Sequence, residues 1–172
     1  MGHWLKSAVS ITLLVMFMWG VTPVAASAYP LFQPAQNTMA ILSFPGTRPS
    51  TLGVQNGQLA ACPNTPNCVS SQAPATDAEH NVAPIAYVGD GKVAIAKLKT
   101  IIEGSERTKI IQANDNYLYA EFASKLMGFV DDVEFYADES AKVIHVRSAS
   151  RLGQSDLGVN RKRVEEMRSK LA

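Results

Sequence analysis

The chain is poor in cysteine, in histidine and in long apolar runs, and has almost no charge excess. Only two cysteines, Cys62 and Cys68, occur in 172 residues. They close a short loop, so a disulfide between them contributes only roughly 2 kcal/mol of chain entropy. It is a local staple, and stability must come from a packed core. The longest uncharged, mostly apolar run, Ala8 to Trp19, has 12 residues, against the ~20 of an ordinary membrane span. Sixteen Lys and Arg stand against 15 Asp and Glu, and a general nucleic-acid binder shows a basic excess instead. There are no internal repeats, no low-complexity tract, no C-x-x-C-H for haem, no C-x-x-C redox spacing and no G-x-S-x-G elbow.

The N-terminus is set apart from the rest. Lys6, the apolar run and the small residues Ala26-Ser27-Ala28 form a secretory signal peptide over residues 1–28, with cleavage expected after Ala28. An uncleaved Ala8–Trp19 anchor is the lesser alternative. No cysteine lies near the cleavage site, which argues against a lipoprotein. The remaining 144 residues, Tyr29 to Ala172, suit one domain that buries about two-thirds of its unfolded surface. In an exported chain the Cys62–Cys68 pair reads first as a disulfide. A metal site is the runner-up, with only His80 and His145 left to complete it.

Residues 29–61 carry Pro30, Pro34, Pro45 and Pro49 with Gly46, Gly53 and Gly57, and no sustained period. They predict an extended arm, part of which packs on the domain or on a partner through Leu31, Phe32, Ile41, Leu42 and Phe44. The single domain then spans 62–172. CPNTPNC is a preset turn-rich loop, and Val69 to Gln72 leaves it extended. Val82 to Val88 is a short edge strand. Asp90 caps a helix that Gly104 ends, with Val93, Ala96 or Lys97, and Ile101 near one face. Strands follow over Thr108–Ala113, Tyr117–Ala123, Phe129–Ala137 and Lys142–Ala149. A last helix runs from about Asp156 to Lys170, with Val164, Met167 and Leu171 as its stripe and Asn160 where an apolar residue belongs. The fold class is α+β: an antiparallel β-meander of about four strands packed by two helices, with a disulfide-clipped N-terminal arm.

Alternation assigns the sheet faces. Leu118, Ala120, Phe122, Phe129, Val133, Phe135, Ile144, Val146 and Ser148 take the core side, and Asp131 comes with them. Burial demands a partner for that carboxylate, and Arg151 or Ser148 is the expected one. Tyr117, Tyr119, Glu121, Asp132, Glu134, Tyr136, His145 and Arg147 take the other side, as an exposed face or a protein-binding one.

The densest chemistry lies where the last strand meets the last helix. Arg147, Ser148, Ser150, Arg151, Asp156, Asn160 and Arg161 form either an anion or small-molecule site or a fixed polar joint. Asp156, a negative charge at the helix start, favours the joint, as do the carboxylates Asp131, Asp132 and Glu134, which supply a structural polar network. Adjacent Asp131 and Asp132 point to opposite faces, so they are not a catalytic pair. No residue is assigned a catalytic role, and no metal or cofactor is called for.

CPNTPNCVSSQ, GFVDDVEF and IHVRSASRLGQSDLGVNRKRVE, with the lead-in RPSTLGVQNGQLAACP, resemble the domain-of-unknown-function 1499 family over Arg48 to Leu171. The resemblance implies no reaction. Similar plant and algal proteins are linked to the thylakoid lumen and photosystem II, so it implies a periplasmic or lumenal location and a membrane complex as partner. A non-catalytic, protein-binding accessory role is the leading expectation. An anion or small-molecule binder at the Arg147–Arg161 junction is the second, and an uncharacterised hydrolase the third.

Overall fold

A computed structural model describes residues 43–172 of the chain. The expected signal peptide, its expected cleavage after Ala28 and the first part of the predicted arm lie outside the described residues. No helix among the described residues is long and apolar enough to cross a membrane.

The described chain runs β1 (Cys68–Ser70), β2 (Ile85–Ala86), α1 (Gly91–Glu103), β3 (Thr108–Ala113), β4 (Tyr117–Ala123), β5 (Val130–Asp138), β6 (Val143–Ser150) and α2 (Val159–Leu171). The predicted α+β class holds, and the meander is β3-β4-β5-β6. The sheet is wider than expected, at six strands, because β1 and β2 share the outer edge of β6. β1 pairs its second half, Ala149 to Arg147, and β2 its first, Ile144 and Val143. That covers an edge otherwise left with unpaired backbone groups.

The helices pack one face. Leu118, Ala120, Val133, Phe135, Ile144 and Val146 of the sheet meet Ile95, Leu98 and Ile102 of α1 and Val164, Met167 and Leu171 of α2. Register follows the alternation, with Leu118 opposite Phe135 and Phe135 opposite Val146. Asp90 caps α1 as expected, its side chain accepting the Lys92 N–H at 2.7 Å. The buried stripe of α1, however, is Gly91, Ala94, Ile95, Leu98 and Ile102. Val93 is exposed, because the 3.6-residue period was set one position early. Phe129 is also exposed, since β5 begins only at Val130.

The arm covers the other face. Leu52, Val54 and Leu59 pack on Tyr117, Tyr119, Ile111 and Tyr136. Cys62 and Cys68 are joined, with Cα atoms 5.7 Å apart, so the arm is clipped where it enters β1. Tyr117 and Tyr119 are therefore buried, as are Asp132, Glu134 and Arg147. The parity that grouped these residues was right. Their exposure was not, because the arm that hides them has no periodicity to announce it.

Candidate functional site

The strand–helix junction is two networks on opposite faces of the sheet, each built around one of the adjacent aspartates. On the helix face, Asp131 accepts from Nη2 of Arg163 at 2.6 Å. The same guanidinium donates through Nη1 to Ser148 Oγ at 3.0 Å and to Asn160 Oδ1 at 2.6 Å. Ser148 donates to Asn160 Oδ1 at 2.5 Å. The Asn160 amide reaches Ser150 Oγ at 3.0 Å and the Asn67 carbonyl at 3.1 Å. Asn160 is fully buried with every polar atom satisfied, so it stands in the apolar stripe as the tie between α2, β6 and the Cys62–Cys68 loop.

On the arm face, Arg151 grips Asp132 in two places, Nε to Oδ2 at 2.9 Å and Nη2 to Oδ1 at 2.6 Å. Tyr119 donates to Asp132 Oδ1 at 2.5 Å. Glu121 accepts from Arg151 and, at 2.8 Å, from Nε of Arg48 on the arm. Burial pushes the Tyr119 hydroxyl well above the usual tyrosine range, helped by its bond to Asp132. Burial also acts to raise Glu121, but the hydrogen bonds from Arg151 and Arg48 outweigh it and hold the carboxyl below its usual range. The Asp132 bonds raise Arg151 further above its already high value.

Neither expected partner of Asp131 bonds to it directly: Ser148 shares its face but meets it only through Arg163. Arg151 stands on the opposite face with Asp132, and Arg163 takes Asp131. The physical reason is helical spacing: Arg163 lies three residues after Asn160, hence on the same face of α2. That spacing was available in the sequence. Arg147 does not face solvent as expected. It is buried under the arm 3.6 Å from Glu134, its partner across the β5–β6 ladder. Asp156 does not begin α2, which starts at Val159 behind Gly158 in the left-handed region, φ 78°. It still supplies the cap, accepting the Asn160 N–H at 2.7 Å and the Gly158 N–H at 3.0 Å. Arg161 holds the carbonyls of Asn81 at 2.8 Å and Glu79 at 2.9 Å. Thus Arg147, Ser148, Ser150, Arg151, Asp156, Asn160 and Arg161 are not one cluster. They are divided among two sheet faces, a helix cap and a loop clamp.

A different surface has no partner among the described residues. Seven of the large apolar side chains that remain exposed gather at one end of the sheet. The β4–β5 loop presents Leu126, 81% exposed, with Met127 and Phe129. The β6–α2 loop presents Leu152 and Leu157, the latter 95% exposed, and α2 adds its first residue, Val159. Phe44 joins them, its ring 6.0 Å from Phe129 and its N–H donating to the Met127 carbonyl at 3.0 Å. Phe129, Leu152 and Val159 line one cleft of about 330 Å³. Periodicity gives no hint of this end, because all of its residues but Val159 sit outside helices and strands.

A family model described as a protein of unknown function, DUF1499, matches residues 58–171. No curated protein and no solved structure matches the chain. The matched segment carries both aspartates, two of the three arginines of these networks and most of the apolar end, and on that match the chain belongs to the DUF1499 family.

Proposed function

We propose that this is an exported, non-catalytic accessory protein that works by binding another protein at a membrane, with photosystem II as the partner in a photosynthetic host. The observation that carries this reading is a contrast. Most of the groups best suited to chemistry are turned inward and paired with one another, whereas seven large apolar side chains are held outward at one end. Contiguous exposed apolar surface on a folded domain marks an interaction site. The Cys62–Cys68 disulfide fits an oxidising compartment.

The test is a photo-crosslinker placed at Leu126 in the exported protein, irradiated in native membranes. A discrete adduct to a component of one complex, absent when the crosslinker sits at Val88 at the other end of the sheet, is the expected result. Equal labelling from both positions, or none, would count against the reading.

A further inference from the structure

We infer that the Cys62–Cys68 disulfide is a redox latch on the apolar end: oxidised, it holds the β6–α2 loop in place, and a protein dithiol that attacks Cys62 releases it. This rests on the reading above that the end binds a partner, and adds how that binding is controlled.

The contacts between disulfide and loop carry the inference. The disulfide closes a ring that contains Asn67, a buried side chain. Asn67 Nδ2 donates to the Gly153 carbonyl at 2.8 Å, next to Leu152 of the apolar end. The Asn67 carbonyl accepts the Ser150 N–H at 3.0 Å and the Asn160 amide at 3.1 Å. The Asn67 side chain is aimed by Thr65, whose hydroxyl donates to Oδ1 at 2.7 Å. When Thr65 moves, that buried oxygen loses its donor, which is costly, and turning the amide away from Gly153 relieves the cost. The route runs from Cys62 through Thr65 and Asn67 to Gly153, and ends on the loop that carries Leu152 and Leu157.

Little besides the disulfide holds the start of this route. From Ala60 to Pro66, Thr65 alone makes hydrogen bonds among the described residues, the one to Asn67 and one at its carbonyl, which accepts from His80 Nε2 at 3.2 Å. Ala61, Pro63, Asn64 and Pro66 are exposed. With the disulfide closed, Thr65 is fixed from both sides and the two prolines stiffen the ring. With it open, residues 60–66 become a tether from Leu59 to Asn67.

Access to the disulfide is one-sided. Cys68 is fully buried, whereas Cys62 is half-buried and lines a cleft of about 170 Å³ with Asn64 and Asp77. Cys62 therefore offers its sulfur to an attacking thiolate. The attack forms a mixed disulfide at Cys62 and expels Cys68 as a thiolate, which takes up a proton. The second thiol of the reductant then resolves the mixed disulfide. Cys62 and Cys68 end as thiols and the reductant as a disulfide, having supplied both electrons. Lacking C-x-x-C spacing, the pair is a substrate of this exchange and not its catalyst.

The experiment uses the exported protein with its disulfide intact. Thioredoxin should reduce it without denaturant. A thioredoxin variant lacking its resolving cysteine should be trapped on Cys62, as located by peptide mass mapping. Amide hydrogen exchange over residues 150–160 should quicken about ten-fold on reduction, while β4 and β5 keep their protection. Cys62→Ser/Cys68→Ser should reproduce this without reductant, and Asn67→Ala should do so with the disulfide closed. The Leu126 photo-crosslink should weaken when the membranes are treated with thioredoxin. Reduction only in urea that unfolds the chain, trapping on Cys68, unchanged exchange over 150–160, or exchange that quickens equally across the sheet would overturn the inference. So would a crosslink of equal yield in both redox states, which leaves the accessory role standing. No crosslink in either state would sink that role instead, and the exchange rates alone then decide the latch.

Discussion

Glu134 is fully buried, yet only one of its carboxylate oxygens is hydrogen-bonded. Oε1 accepts from the Gly53 N–H and the Tyr117 hydroxyl, each at 2.7 Å. Gly53 delivers its N–H from φ 115°, a conformation that other residues adopt poorly. Oε2 faces Arg147, whose burial pulls the guanidinium below the ordinary arginine value while Glu134 acts against the shift. Removing one partner of a buried pair strands the other, at a cost of about 3–5 kcal/mol. Arg147→Met should therefore destabilise by that much in urea titration. Glu134→Gln/Arg147→Met should recover at least half, because the glutamine carbonyl still accepts from Gly53 and Tyr117. His80 gives a pH signature. Its Nδ1 lies 2.8 Å from Asp77 Oδ2 and its Nε2 3.2 Å from the Thr65 carbonyl. Two acceptors call for two N–H donors, hence the imidazolium. The Asp77 bond accordingly raises His80 above the usual 6.5, against burial. Its stabilisation is complete below pH 6.5 and is lost as pH rises through the elevated folded value. His80→Gln should cost more stability at pH 6 than at pH 8.5, and an equal loss at both would refute the ionised clip. Burial lowers His145 instead, so its contribution has the opposite sign and fades as pH falls below 6.5. The variant isolates His80 from it.

At the scale of elements, α2 depends on a cap displaced from its geometric start. Gly158 makes no side-chain bond, and the free N–H groups are met by Asp156. Asp156→Ala should cost about 1 kcal/mol, read from the thermal midpoint, with Asp156→Asn recovering most of it. How much of this was legible differs by element. β4 and β6 were set by alternation to within a residue, and α1 by Asp90 and Gly104. The start of α2 was misplaced because Leu157 and Gly158 both take positive φ, which no apolar period reports. The joint itself was half legible. Asn160 in an apolar stripe pointed to a buried polar tie, and strand parity separated Asp131 from Asp132. The partners crossed over because assigning an arginine to a face at a turn needs backbone geometry, whereas Arg163 on a regular helix did not.

For the whole molecule, the arm is the second half of the core. Arg48, Gly53 and Leu59 each contact a residue far along the chain or on the sheet face, Arg48 meeting Glu121 and Gly53 meeting Glu134. The arm itself has no helix or strand pattern, so sequence could say that it packs but not where. A chain begun at Ala61 would bare Tyr117, Tyr119, Glu134 and Arg147 to water. It should lose several kcal/mol of stability and bind a hydrophobic dye, whereas a chain begun at Ser43 should unfold cooperatively. Dye binding equal in the two would show that the arm is dispensable.

The arm's contacts also set an order of assembly. Gly53 pairs with a residue 81 positions later, and the Pro45 carbonyl with Arg151, 106 positions later. Emerging first from a translocation channel, the arm would wait there until β5 and β6 had followed it out. The Cys62–Cys68 loop closes over 6 positions and needs none of that sheet. A chain exported N-terminus first would thus knot its staple early, hold its oldest segment open, and seal its charged interior last.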